Sequence, residues 1–216
     1  MIDLRADDVT SSGEVRTIGL ADGSSVTLAP DSAIKVAYTG TERRVMLLSG
    51  EAFFTVRHDP ARPFRVAAGG IETTDIGTTF DVRRGNGGVA IAVQDGSVEV
   101  DDRAAEPPVS EILRGGQRVR VTWSGEVVRS GEPPGQVAAW RQYQLIAQDQ
   151  PMGEVIDQLR PYFRGRIILT NGTLAARPVT GVYNLSDPVE ALRGLVQAHG
   201  ATVRRVTPWL LLVSGG

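Results

Sequence analysis

LLSGEAFFTVRHDPARPF at residues 47–64, followed by Val66 and by DIGTTFDV at residues 75–82, decides the reading of the fold. It joins an alternating apolar strand, a turn bracketed by Pro60 and Pro63, and a glycine-threonine step, in that order. Outward from it, residues 15–128 read as short strands without helical periodicity. VRTIGL, SVTLAP, AIKVAY, TFDVRR, VAIAV, SVEV and RVRVTW are rich in Val, Ile, Thr and Phe, residues that suit a pleated surface. Turn signals stand between them, including Asp22–Gly23, Ser49–Gly50, Asp95–Gly96 and Gly115–Gly116.

LADGSSVTL, LLSGEAFFTV, VQDGSVEV and LRGGQRVRV repeat one pattern: an apolar strand end, a glycine turn, an alternating strand. Their glycines lie 27, 46 and 20 residues apart, near multiples of the low twenties. That is the scale of stacked β-rungs, each burying its apolar side against the next. A β-sandwich of hairpins satisfies the same pattern. The expectation is a mainly-β protein with a solenoid-like or sandwich scaffold. The arginine pairs Arg43–Arg44, Arg83–Arg84 and Arg204–Arg205 flank strand-like runs and read as solvated strand ends.

Residues 101–111, DDRAAEPPVSE, read as a charged loop, and residues 124–136 as a loose segment ending in Glu132–Pro133–Pro134–Gly135. Such a segment suits a stiff boundary linker. Beyond it the periodicity changes. Residues 140–147, WRQYQLIA, alternate like a strand, and Pro151 opens a helix with Val155, Ile156 and Leu159 on one face. A second helix starts at Ser186–Asp187–Pro188 and closes at Gly200. RIILT and VTGVYN are strands about a turn at Asn171–Gly172, and ATVRRV and WLLLVS complete a small α+β, split βαβ domain with helices on one face of a mixed sheet. The expected organisation is a flexible segment at 1–14, an all-β domain at 15–130, a linker at 131–139 and the α+β domain at 140–216.

With 23 basic and 25 acidic residues the chain offers no electrostatic footprint for nucleic acid. There are no cysteines, which excludes disulfides, thiolate zinc sites and thiol catalysis. No stretch approaches the roughly 20 apolar residues that span a bilayer, and residues 1–14 lack a secretion-signal pattern. Serine-hydrolase, zinc-protease and phosphate-loop motifs are missing.

From residue 14 to 214 the series resembles the periplasmic region of FecR-type regulators. Its carriers are RTIGLADGSSVTLAPDSAIKVAY, SGEAFFTV with HDPARPF, DIGTTFDV, VQDGSVEV, LRGGQRVRV, AWRQYQLIAQDQPMGEVIDQL and GVYNLSDPVEALRGL. Residues 140–216 also resemble the short secretin/TonB N-terminal domain, an envelope docking module. The resemblance implies an anti-sigma regulator with a cytoplasmic helical domain holding an extracytoplasmic-function sigma factor, then one inner-membrane helix, then this periplasmic region. The region would meet the signalling domain of a TonB-dependent receptor and relay an iron-chelate uptake signal. Neither the helical domain nor the membrane helix lies in this sequence, so sigma binding is not assigned to its residues.

Some members of that family cut themselves at a Gly-Thr step, which here corresponds to Gly77–Thr78. A threonine hydroxyl can attack the preceding carbonyl, and glycine tolerates the backbone this needs; the other reading is a tight strand lead-in. Asp75, Asp81 and His58 are possible assistants. His58–Asp59–Pro60 reads as a rigid corner and His199 as a helix-end cation; neither makes a metal site, and no metal or cofactor is expected. For partner binding, Trp209, Leu210, Leu211, Leu212 and Val213 form the most apolar strand, which either fills the core or docks, with Trp209 and Leu211 or their neighbours outward. A structural, ring-forming envelope component is a third reading.

Overall fold

The computed structural model describes residues 6–75, 77–102 and 104–215, and the chain divides into two compact units. The first comprises residues 1–11 and 15–138, the second residues 12–14 and 139–216.

The first unit is one 13-stranded sheet. In chain order its strands are β1 (Asp8–Val9), β2 (Arg16–Gly19), β3 (Ser25–Leu28), β4 (Ala33–Tyr38), β5 (Arg43–Thr55), β6 (Phe64–Ala68), β7 (Ile71–Asp75), β8 (Thr79–Gly85), β9 (Gly88–Asp95), β10 (Ser97–Asp102), β11 (Val109–Arg114), β12 (Gln117–Thr122) and β13 (Val127–Gly131). The 13-residue β5 organises them. Its first half lies between β4 and β6, its second half between β3 and β8. Two half-sheets therefore share one strand: β1-β4-β5-β6-β7-β10-β11 and β2-β3-β5-β8-β9-β12-β13.

Gly50 sits where they part. Its φ is +82°, and a Cβ there would lie 2.2 Å from Ser32 Oγ. Ser32 Oγ instead accepts from Glu51 N at 2.9 Å and donates to Glu51 O at 3.1 Å, filling the bend.

The mainly-β expectation holds, and the sheet is barrel-like and nearly closed. It is built from antiparallel neighbours, with β5 and β6 the one parallel pair among its described ladders. Parallel stacked rungs are thus not its construction; hairpins curling round one core are. Alternate residues of both half-sheets point into that core, among them Val26, Val45, Leu47, Phe54, Val66, Val82, Ile91 and Val119. Phe54 stacks on Phe80 with centroids 5.3 Å apart and meets Phe64 edge-on at 5.9 Å. Aromatic contacts therefore link the half-sheets across the interior.

Two segments read as loose are built in. Asp8 and Val9 pair with β4 and Thr10 is buried, its hydroxyl donating to Ala29 O at 2.6 Å and accepting from Ser32 N at 3.0 Å. Residues 1–5 lie outside the described residues. In the loose segment at 124–136, residues 127–131 pair with β12, and in the expected linker at 131–139 Glu132 N donates to Gly116 O and Val137 is buried.

The second unit contains β14 (Gln144–Pro151), α1 (Met152–Leu159), β15 (Arg166–Leu169), α2 (Gly172–Ala175), β16 (Pro178–Asn184), α3 (Pro188–Gln197), β17 (Ala201–Thr207) and β18 (Leu210–Gly215). Residues 140–142, expected in a strand, belong to a 3-10 turn at Ala139–Gln142 that buries Trp140. Met152, Val155, Ile156 and Leu159 of α1 and Ala191, Leu192, Leu195 and Val196 of α3 are buried, as one-sided helical spacing requires. Asp187 caps α3 by accepting from Glu190 N at 3.1 Å.

The single mixed sheet expected here is two sheets, β14-β16 and β15-β18-β17. Asn171 gives the reason. Its side-chain oxygen accepts from Thr173 N at 2.9 Å and Leu174 N at 3.4 Å, starting α2 where a turn between two strands was expected. The chain leaves β15 by that helical turn, and β16 pairs with β14 instead.

Candidate functional site

Gly77–Thr78 lies at the crossing from β7, in one half-sheet, to β8, in the other. Asp75 ends β7 with its side chain turned back: Oδ1 accepts from Gly77 N at 3.0 Å and Oδ2 from Thr78 N at 3.3 Å. This local turn satisfies both amides. Thr78 O accepts from Val56 N at 2.9 Å, fixing the far side to the chain after β5.

Gly77 has φ +155°, and a Cβ would come within 2.7 Å of His58 Nδ1. Only glycine fits against that imidazole. Thr78 is itself buried, and its Oγ1 has no hydrogen-bond partner among the described residues. Its methyl occupies the space above Gly96, where a Cβ would stand 2.3 Å from Thr78 Cγ2.

Asp75 and His58 are therefore brought to the step, which the sequence did not show. Asp81 is not. It points away from the sheet's core on β8, opposite Phe53, is buried there and shares a hydrogen bond with Glu51. Burial pushes the Glu51 carboxyl above its ordinary range; Arg83, the Asp81 bond and Arg118 oppose this, while Glu132 adds to it.

Arg43, read as a solvated strand end, is fully buried. Its Nη1 donates to Asp22 Oδ2 at 2.7 Å and Arg57 O at 2.9 Å, and its Nε to Arg62 O at 2.8 Å. The guanidinium carbon stands 5.4 Å from the Phe64 ring centroid. Asp22 also accepts from Ser24 Oγ at 2.7 Å, Ser24 N at 3.1 Å and Tyr38 Oη at 3.1 Å. Burial pulls the Asp22 carboxyl up, but the Ser24, Arg43 and Tyr38 bonds outweigh it and hold it below its ordinary range. Burial and the neighbouring Asp22 charge raise the Tyr38 phenol. Residues 57–64, carrying the His58–Asp59–Pro60 corner, are thus wrapped around a buried ion pair. Arg62 additionally pairs with Asp59 at 2.9 Å.

The terminal strand β18 is central in its sheet, between β15 and β17. Leu211 and Val213 are fully buried, Leu210 and Leu212 half-buried, and Trp209 is 64% exposed in the β17–β18 turn. Of the two residues named as outward, Trp209 is exposed and Leu211 is not; the neighbours of Leu211 take the outward place instead. Period-two alternation puts Leu211 with Val213 on the helix-covered face and Leu210 with Leu212 on the open one. Among the described residues no group of three or more His, Asp or Glu side chains could hold a metal ion, and no helix is long and apolar enough to cross a membrane.

Residues 7–99 match the family model described as FecR protein. That stretch is similar to FecR domains. It runs from β1 into β10 and takes in both the Arg43–Asp22 pair and Gly77–Thr78. Two crystal structures of a candidate anti-sigma factor from Parabacteroides distasonis, at 1.65 and 2.50 Å resolution, are similar to the chain. They superpose with TM-scores of 0.87 and 0.86 at 25% and 24% identity, each covering 97% of this chain and 98% of the other. The resemblance thus extends past the FecR-like stretch through the second unit. No curated protein matches the chain.

Proposed function

We propose that the chain is the periplasmic sensor region of an anti-sigma regulator, tethered to the inner membrane in the full regulator. The observation that carries this is the match of both units, over 97% of the chain, to a candidate anti-sigma factor at TM-score 0.87. The FecR match supports it independently of the second unit. In this reading the second unit is a docking module of the secretin/TonB short N-terminal type. Its partner is the signalling domain of a TonB-dependent receptor, and the relayed message is uptake of an iron chelate. The sigma factor is met by a helical domain outside these residues. Titrating the 216-residue chain with isolated signalling domains of such receptors tests the reading; a saturable one-to-one complex is expected. Failure of every receptor domain from the same genome to bind removes the receptor from it.

A second reading, self-cleavage at Gly77–Thr78, is favoured by the buried, unpartnered Thr78 hydroxyl. Thr78 Oγ1 would attack the Gly77 carbonyl carbon, the C–N bond would break, and the hydroxyl proton would pass to the departing nitrogen. Water would then open the ester, leaving a Gly77 carboxylate and a free Thr78 amine. In this reading His58, which lies against Gly77, and Asp75, which accepts from Thr78 N, would move the proton. Intact-mass measurement on incubated protein should give two fragments divided after Gly77, and one species for Thr78→Ala. A stable single species of the unmodified chain rules cleavage out.

A further inference from the structure

The sheet β15-β18-β17 leaves one face open, and its composition is lopsided. Register places Arg166 beside Leu210 and Ile168 beside Leu212, with Arg204 flanking Leu212 from β17. These five side chains share the face opposite Ile167, Leu211 and Val213, which are buried. Ile168 is 41% exposed, and Val206 and Trp209 extend the apolar surface at the hairpin end.

Residues 164–169 and 201–215 contain four arginines, Arg164, Arg166, Arg204 and Arg205, and not one acid, in a chain where acids outnumber bases. All four are exposed. Among the described residues no acidic side chain pairs with any of them, whereas Arg44, Arg65, Arg118 and Arg129 of the first unit all have carboxylate partners. Among the described residues strand β17 also has a single neighbour, so its outer backbone edge is unpaired within the sheet.

We propose that this face and the β17 edge bind an extended acidic segment of a partner protein, whose side chains on the open face bring carboxylates to Arg204 and Arg166 and apolar groups to Ile168, Leu210 and Leu212, while Arg205, in register with Leu211, lies on the other face of β17. The proposal rests on the docking role assigned to the second unit and adds the partner's chemistry. An unpaired edge supplies main-chain hydrogen bonds, and pockets for alternate side chains supply selectivity. Unopposed arginines supply charge complementarity. Arginines on an edge also discourage sheets from pairing with themselves. That role alone accounts neither for the lack of acids across all three strands nor for the apolar stripe the arginines border.

The test titrates the full chain with a blocked nonapeptide carrying Glu and Val in turn at every second position with Ser between, and with its counterpart in which Lys replaces Glu, following backbone amide shifts by NMR. The Glu peptide should bind with shifts centred on residues 201–207, more weakly as salt rises, and the Lys peptide should not bind. Arg166→Glu with Arg204→Glu should weaken the Glu peptide by about tenfold or more. Arg166→Gln with Arg204→Gln should fall between, with an unchanged melting temperature as the folding control. Equal binding of both peptides overturns the proposal, as does full affinity in the folded double variant. So does binding to anionic vesicles without binding to the peptide, or self-association of the chain that the double variant abolishes. A receptor domain that binds while the Glu peptide does not refutes this surface and leaves the receptor reading standing. The reverse pattern does the opposite.

Discussion

Replacing Arg43 by methionine should be among the most destabilising single changes in the first unit. The side chain is fully buried and its Asp22 partner nearly so. Methionine keeps most of the volume, so the loss is polar: a charge pair at 2.7 Å and bonds to the Arg57 and Arg62 carbonyls. Stranding one partner of a buried pair costs about 3–5 kcal/mol, against about 0–1 kcal/mol for an exposed pair. Asp22 keeps Ser24 and Tyr38 as donors, which places the effect toward the lower end of that range. Asp22→Asn should also destabilise, by leaving the guanidinium without its counter-charge. The pair Arg43→Met with Asp22→Asn should cost at least about 1 kcal/mol less than the sum of the two, because neither charge is then stranded. Urea denaturation followed by circular dichroism measures all three. A loss below about 1 kcal/mol for Arg43→Met, or strict additivity in the double variant, would refute the account of Arg43 as the buried anchor of residues 57–64.

Gly50→Ala should destabilise by about 2 kcal/mol or more, since a left-handed backbone costs an alanine about 1–2 kcal/mol before its Cβ meets Ser32; a melting temperature equal to that of the unmodified chain would dismiss the bend. Glu51 has a raised carboxyl pKa in the fold, so its contribution is fully present below its ordinary 4.5 and is lost as pH rises through the higher folded value. Glu51→Gln should therefore flatten the decline of melting temperature above pH 4.5, and an unaltered profile would contradict the burial. Asp22 has the opposite sign: its stabilisation is present above 3.8 and disappears as pH falls through a lower folded value, so Asp22→Asn should blunt the onset of acid unfolding. Leu211→Ala should cost about 2–5 kcal/mol, as buried leucines do, while Trp209→Ala should leave stability within about 0.5 kcal/mol; equal losses would mean the two faces of β18 are misassigned.

The strands of the first unit were legible because β-branched alternation and glycine punctuation are local. What they assemble into was not. Glycine spacing fitted stacked rungs as well as hairpins, since Gly50 read as a turn when it is a bend within one long strand. Arg43 was indistinguishable in sequence from its neighbour Arg44, which is part-exposed and pairs with Glu42 and Glu72. The acid that buries Arg43 lies 21 residues upstream in a turn whose Asp-Gly already had a local explanation. His58 reaches Gly77 only because the loop after β5 folds over that crossing. In the second unit, helix spacing and the Asp187 cap were readable from composition alone. The separation of β15 from β16 was not, because Asn-Gly serves a hairpin turn and a helix start equally well. The apolar run of residues 209–213 showed its alternation but not its central position in the sheet, which depends on a parallel partner more than 40 residues upstream.

Strand β5 belongs to both halves of the first unit, and this dictates how that unit comes apart. Neither half can shed its ladder while the other stays intact, because the same 13 residues would have to be ordered and disordered at once. Melting should therefore be all-or-none, with amides on β3, β4, β6 and β8 exchanging with solvent at one common, slowest rate. A load pulling on either rim would be borne by the shared backbone and felt at the other.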